Sequence, residues 1–312
     1  MSPIALAVVG LGKIARDQHL PAIEASQEFR LTAAASHQGK IESVPMFATL
    51  ADLLASAGDV QAVSFCTPPV GRFEDARAAL AAGRHVMLEK PPGATVAEVV
   101  ALADLARAQG CTLFCAWHSR EADAVRPAKD WLADRTVKSA HISWREDVRR
   151  WHPGQTWIWR AGGLGVFDPG INALSILTEV LPETVRLTGA DLDFPSNCDT
   201  PIAANLTFAA ASGAPVTADF DFLQTGPQTW EIRIQTDDGD LRLIDGGARM
   251  EIDGVAAPVA AVRPGNGEYP NLYRRFADLI RRNESDVDLT PLQLVADAFL
   301  LGRRRTVEAF HE

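Results

Sequence analysis

The chain has 312 residues, 47% of them hydrophobic and 22% charged, which suits a soluble protein of two domains with a sizeable core. Its net charge of −10 speaks against a general binder of nucleic-acid backbones, whose affinity rests on Lys and Arg. The opening Ser2-Pro3-Ile4-Ala5-Leu6-Ala7-Val8-Val9 lacks a basic leader, and no apolar run reaches membrane-spanning length, so a cytoplasmic protein without membrane contact is expected.

The stretch 4–9 is a short apolar run fit for a strand buried on both faces. Gly10-Leu11-Gly12-Lys13-Ile14-Ala15 follows at once, and a helical pattern begins after it. This is GxGxxA, a variant of the dinucleotide fingerprint. Gly10 permits a tight turn, Gly12 lets a pyrophosphate approach the backbone, and Ala15 allows close helix–strand packing. Amides at the helix start, around Lys13 and Ile14, then face the anion.

Strands are predicted over 29–36, 60–66, 85–88 and 112–117, with helices around 52–54 and over 72–82 and 96–109. This alternation defines an α/β fold with a doubly wound parallel sheet, whose ligands sit at the carboxyl ends of the strands. Ser36-His37, Thr67-Pro68, Glu89-Lys90 and His118 are therefore candidates together. An NAD-selective enzyme usually places an acid at the end of the second strand. Ala35-Ser36-His37-Gln38 has none, so both NADP and NAD are expected, with NADP at least as good.

From about residue 120 the alternation stops. A helix over 122–133 is followed by strands over 139–144, 185–194, 203–208, 216–222, 230–236, 241–244 and 249–252, separated late in the run by Asp-Gly turns. They imply a mostly antiparallel open sheet covered on one face by a helix over 169–181, so the second part is α+β. Helices over 272–282 and 291–310 close the chain. Arg303-Arg304-Arg305 reads as a solvated last turn. The four cysteines (Cys66, Cys111, Cys115, Cys198) lack CxxC spacing and read as small buried hydrophobes in a reducing compartment, with no metal site.

Within this second half, Gly162-Gly163-Leu164-Gly165-Val166-Phe167-Asp168-Pro169 leads into an apolar helical pattern. Asp168 precedes a Pro suited to a first turn, so it reads either as a helix cap or as a catalytic carboxylate, with Asn172 one turn on along the same face. Three tryptophans crowd into residues 151–159. Trp151, like Trp230, offers a flat apolar face for a sugar ring, although ordinary packing explains a single Trp as well. Glu146 and His152 flank the stretch and suit hydroxyl groups.

Gly10-x-Gly12, Glu89-Lys90-Pro91, His118-Ser119-Arg120 and Asp168-x-x-x-Asn172, in this order, resemble the glucose–fructose oxidoreductase, inositol dehydrogenase and MocA family over essentially the whole chain. Gly12 to Pro21, Glu146 to Gly154 and the Asp168 stretch are similar to its bacterial L-arabinose and D-galactose 1-dehydrogenase branch.

The resemblance implies a Rossmann domain over 1–120, a substrate domain over 121–290, and a final helix over 291–312 that braces the first. It implies a cyclic aldose oxidised at C1 to its lactone with NAD(P), the protein being a monomer or homodimer. Lys90, Asp168 and Asn172 would face the sugar, with Glu146 and His152 on its hydroxyls and His118 lining the pocket. Many members carry His at the place of Asn172, so the proton acceptor here is Lys90, if desolvation lowers its pKa, or Asp168. Relatives acting on an inositol or a dihydrodiol, and a non-enzymatic sugar or dinucleotide sensor, are the competing readings.

Overall fold

The computed structural model describes residues 2–259 and 267–311. The chain divides into two compact units, Met1–His118 with Arg263–Leu289, and Ser119–Val262 with Thr290–Glu312.

In the first unit, β1 (Ile4–Val9), β2 (Phe29–Ala35), β3 (Met46–Phe47), β4 (Ala62–Phe65), β5 (His85–Glu89) and β6 (Leu113–Ala116) form a parallel sheet in the order β3-β2-β1-β4-β5-β6. The apolar run of β1 is buried along its whole length because both sheet faces are covered. On one face Leu53, Ala76, Leu80, Leu102 and Ala106 pack from helices Leu50–Ser56, Arg72–Ala81 and Val96–Gln109. The last of these starts on a Thr95–Glu98 capping box and stops at Gly110 in the left-handed region.

On the other face lie Ala15, Ala22 and Ile23, together with Tyr269, Leu272, Tyr273 and Phe276 of helix Glu268–Arg282. The helix that returns to this unit is therefore Glu268–Arg282, and not the stretch 291–312. The reason is its aromatic stripe: Phe276 stacks on Phe29 at 5.5 Å and on Phe114 at 6.0 Å.

The second unit holds β7 (Val137–Arg145), β8 (Val185–Pro195), β9 (Ala203–Ala210), β10 (Pro215–Asp221), β11 (Thr229–Thr236), β12 (Gly239–Ile244), β13 (Arg249–Ile252), β14 (Val255–Ala256) and β15 (Arg303–Val307). They form one sheet in the order β14-β13-β12-β11-β7-β10-β9-β8-β15. Pairings are antiparallel except β7 with β10 and β8 with β15. Strands such as β7 and β9 alternate buried and open residues, and helices Val125–Leu132, Phe167–Val180 and Thr290–Leu301 cover the buried face.

The helix expected over 291–310 ends at Leu301. A Cβ on Gly302 would meet Leu192 at 2.8 Å, so the chain turns there close against β8 and continues as β15. Arg303 and Arg305 are consequently not a helical turn; they pair with Asp191 at 2.7 Å and Asp193 at 2.6 Å across the β15–β8 pair.

Candidate active site

The carboxyl ends of five parallel strands bring Gly10, Ser36, Thr67, Lys90 and His118 to one edge of the first sheet. Gly10 has φ +89°, and a Cβ there would meet Thr67 Cγ2 at 2.8 Å, so the turn after β1 admits only glycine. Around Gly12 a Cβ would find no atom within 4 Å, which leaves the open approach that a pyrophosphate needs. Ala15 is fully buried, as close packing requires. Lys13 is exposed and paired with Asp17, and Ile14 is exposed beside it. Pro68 is exposed next to half-buried Thr67. These residues fit a dinucleotide.

The Ser36 hydroxyl accepts from Leu11 N–H at 3.3 Å and Gln38 N–H at 3.1 Å, and donates to the Gln38 carbonyl at 2.6 Å. It thus ties the fingerprint loop to the end of β2. A pocket of about 490 Å³ opens there, lined by Ser36, His37, Gly39, Lys40, Met46, Phe47 and Ala48. A Cβ on Gly39 would strike the Arg16 guanidinium, so Arg16 lies against this loop while its Nε donates to Leu11 O at 3.1 Å. Arg16 was not legible as a site residue: it reaches the loop from the helix that follows the fingerprint, away from β2 in sequence.

Beneath Lys90 is a buried network. One Glu89 oxygen accepts Lys90 N–H at 2.8 Å, and the other meets His19 Nε2 at 3.0 Å and Tyr269 OH at 2.6 Å. His19 Nδ1 meets Tyr273 OH at 2.7 Å. Buried Arg72 donates to the carbonyls of Thr67, Glu89 and Pro91. His118 stacks on Tyr269 with ring centres 5.3 Å apart, and its Nδ1 pairs with Glu268 at 2.8 Å.

Burial would raise the Glu89 carboxyl, but the bond and charge of His19, with His118 and Tyr269, pull it down to about 2. Burial would depress His19, yet Cys66, Tyr273 and Glu89 carry it well above the ordinary histidine value. For His118 burial again opposes the charge, and Glu268 and then Glu89 raise it.

The second unit holds a different cluster. Glu146 follows β7 and is buried; its carboxylate meets His152 Nε2 at 3.1 Å and accepts Trp230 Nε1–H at 2.9 Å. His152 Nδ1 lies 3.5 Å from Asp168 Oδ2 and 3.4 Å from Gln155 Oε1. Asp147 caps the short helix Val148–Trp151 that carries the chain from Glu146 to His152. Trp151 and Trp230 stand 5.1 Å apart, with their N–H groups on Gln228 and Glu146. Part of their role is therefore mutual packing.

Helix Phe167–Val180 starts one residue before Asp168, and the flanking residue, Val166, makes no side-chain cap. The cap reading of Asp168 is thus corrected: it is the second residue of the helix, 4% exposed, with its carboxylate toward His152. Gly170 lets this helix approach β10, since a Cβ would meet Phe220 at 2.8 Å. Asn172 follows one turn on, half-buried.

A glycine turn at the carboxyl edge of a parallel sheet, joined to a second unit in which half-buried His152 lies between buried Asp168 and Glu146, defines an NAD(P)-dependent oxidoreductase of two-part architecture. The family model described as "Oxidoreductase family, NAD-binding Rossmann fold", that of glucose–fructose oxidoreductase, inositol dehydrogenase and MocA, matches residues 4–116. Galactose 1-dehydrogenase of Pseudomonas fluorescens is 47% identical over 312 residues, covering 100% of both chains. The chain belongs to this family.

A crystal structure of D-galactose-1-dehydrogenase from Rhizobium etli matches at a TM-score of 0.95 and 55% identity, covering 100% of this chain and 99% of that one. KijD10, a 3-ketoreductase from Actinomadura kijaniata whose crystals contain TDP-benzene and NADP, matches at 0.84 over 98% of this chain and 100% of its own. At 21% identity it shares the fold.

Proposed function

We propose that this protein is an NAD(P)-dependent aldose 1-dehydrogenase that oxidises C1 of a cyclic aldose, D-galactose or L-arabinose, to the lactone. The observation that carries the reading is the full-length 47% identity to a galactose 1-dehydrogenase. In their pyranose forms the two sugars share the configuration of the ring hydroxyls and differ by one hydroxymethyl group, so one pocket serves both.

The first unit binds the dinucleotide through Gly10, Gly12, Lys13, Ile14, Ser36, His37, Thr67 and Pro68. When bound, the nicotinamide supplies the carbon that takes the hydride from C1. Arg16 and Lys40 around the Ser36 pocket favour NADP, because they add cationic charge where a 2′-phosphate would lie, and His37 lines the same pocket.

The second unit binds the sugar. Glu146 and His152 hold hydroxyl groups, the apolar faces of Trp151 and Trp230 border the ring, and Asn172 orients it. The anomeric hydroxyl proton passes to Lys90 or Asp168. Asp168 is suited to the task because its carboxylate is buried and His152 lies at the distance of a relay partner. His118 shapes the edge beside Lys90.

We further propose a cytoplasmic monomer or homodimer; among the described residues no helix is long and apolar enough to cross a membrane. The test is to incubate the pure protein with a panel of aldoses, an inositol and a dihydrodiol, with NAD or NADP, and follow nicotinamide absorbance. D-galactose and L-arabinose should give the highest kcat/KM. Absent turnover with every aldose would sink the reading.

A further inference from the structure

Lys90 leaves the end of β5 between two carbonyls, Glu89 O and Pro91 O, that are both bonded to buried Arg72. Its own amide donates to the Glu89 carboxylate at 2.8 Å. That carboxylate is itself fixed from the other face of the sheet, by His19 at 3.0 Å and Tyr269 at 2.6 Å. Tyr273 donates its proton to Ser64 at 3.2 Å, so at His19 its oxygen accepts, and His19 donates from both nitrogens. The raised pKa of His19 agrees with this doubly protonated ring. Glu89 is 4% exposed and His19 wholly buried, so water does not substitute for these bonds.

The core of the sheet itself is apolar on both faces. A buried ion pair is weak as a source of stability and serves better to select one geometry. Both partners of Glu89 converge on the one residue that precedes Lys90.

We propose that Glu89, held by His19 and Tyr269, is a positioning residue that fixes the backbone of Lys90, and that helix Glu268–Arg282 thereby sets the placement of the lysine in the reaction. This rests on the reading of Lys90 as a reacting group. A group displaced by about 1 Å at a reacting centre loses on the order of 100-fold in rate while substrate binding is largely kept.

The test uses Tyr269→Phe, which removes one hydroxyl and keeps the aromatic packing, together with Glu89→Gln. Sugar KM, kcat, NADP affinity by fluorescence titration and melting temperature are measured for each. The expected result is a kcat lowered roughly 10-fold in Tyr269→Phe and up to about 100-fold in Glu89→Gln, with KM and NADP affinity within about twofold. Should Glu89→Gln fail to fold, Tyr269→Phe decides alone. A Tyr269→Phe enzyme with unchanged kcat overturns the proposal, as does one whose rate loss is matched by a loss of NADP affinity. Lys90→Met, run alongside, separates the two failures. Full turnover there removes Lys90 from the reaction, whereas loss there with normal Tyr269→Phe and Glu89→Gln removes only the positioning role.

Discussion

Each unit contains a histidine against a buried glutamate, and the two pairs are built for different ends. In the first unit His19 is 0% exposed in its side chain and Glu89 5%, and protein groups take every strong hydrogen bond around them. In the second, His152 is 15% exposed against Glu146 at 4%, and its Nδ1 contacts to Asp168 and Gln155 are long, at 3.5 and 3.4 Å. A closed pair fixes geometry. A pair with a partly exposed histidine suits the hydroxyl-binding role proposed for it.

The largest effect expected is on rate and comes from the open cluster. Asp168→Asn keeps the shape of the side chain and removes its proton acceptor. Because Asp168 is not a cap, melting and cofactor binding should stay near normal while kcat falls on the order of 10²–10⁴. Lys90→Met should lose a comparable factor. On the proposed reading both residues serve the same proton, so the double variant should lose less than the product. Turnover like wild type in Asp168→Asn would leave Lys90 as the sole acceptor.

The closed pair should instead break in stability. Glu89→Ala leaves the His19 charge buried without its partner, a change that costs about 3–5 kcal/mol. Glu146→Ala should cost visibly less, since His152 keeps some access to water, and should show itself in sugar KM. Denaturant unfolding of the two variants side by side checks the order; equal losses would erase the distinction between the pairs.

Acid should separate them as well. The folded-state pKa of Glu89 lies at about 2, below its ordinary carboxyl value, so its contribution is complete above the unfolded pKa. That contribution is lost as pH falls through the folded value. His19 runs the other way: its raised pKa gives a contribution complete below the unfolded value and lost as pH rises through the folded one. The wild type should therefore lose stability on acidification toward about pH 2, and Glu89→Gln should show a flatter slope there in urea titrations at stepped pH. The same slope in both would remove Glu89 from the acid transition.

What could be read from the sequence follows the same division. The strands of the first unit stood out because both sheet faces are covered, leaving apolar runs bounded by Gly, Ser-His, Thr-Pro and Lys-Pro. Their ends gave the candidate edge directly, since topology alone places them. Helix Glu268–Arg282 carries one local signal, the chain's only two tyrosines, four residues apart at Tyr269 and Tyr273. Their partners His19, Ser64 and Glu89 are distant in sequence, and local pattern does not encode such pairings. In the second unit, Glu146 and His152 stood out as polar residues flanking the tryptophan-rich stretch, although the short helix that joins them did not. The position of Asp168 inside its helix did not, because Asp-Pro is an equally good cap sequence.

A smaller effect belongs to the edge of the first sheet. Ser36→Asp places a carboxylate beside the pocket at the end of β2 and should shift the ratio of kcat/KM from NADP toward NAD by roughly tenfold. Arg16→Gln should move the ratio in the same direction by less, and neither should alter sugar KM. An unchanged ratio in both variants would place the 2′-phosphate elsewhere.

The smallest change tests the comparison most finely. Tyr269 and Trp230 each donate one hydrogen bond to a buried glutamate, Tyr269 to Glu89 at 2.6 Å and Trp230 to Glu146 at 2.9 Å. Trp230→Phe removes that donor and keeps an aromatic ring among Trp144 and Trp151, which stand 6.2 and 5.1 Å from it. The bond removed is one to a charged acceptor, worth about 1.5–3 kcal/mol where nothing replaces it. Glu146 is as buried as Glu89, but the donor removed here, Trp230, is half-buried where Tyr269 is buried, so a water can take the vacated position and the net loss should shrink to about 1 kcal/mol or less. That predicts a melting temperature only a few degrees lower and a sugar KM raised several-fold, with kcat little changed. Tyr269→Phe should show the reverse, a kcat effect without a KM effect, because water does not reach Glu89 and the acid it supports touches the Lys90 backbone. If Trp230→Phe also acts on kcat alone, Glu146 holds the geometry of the reacting groups and is not a hydroxyl-binding residue.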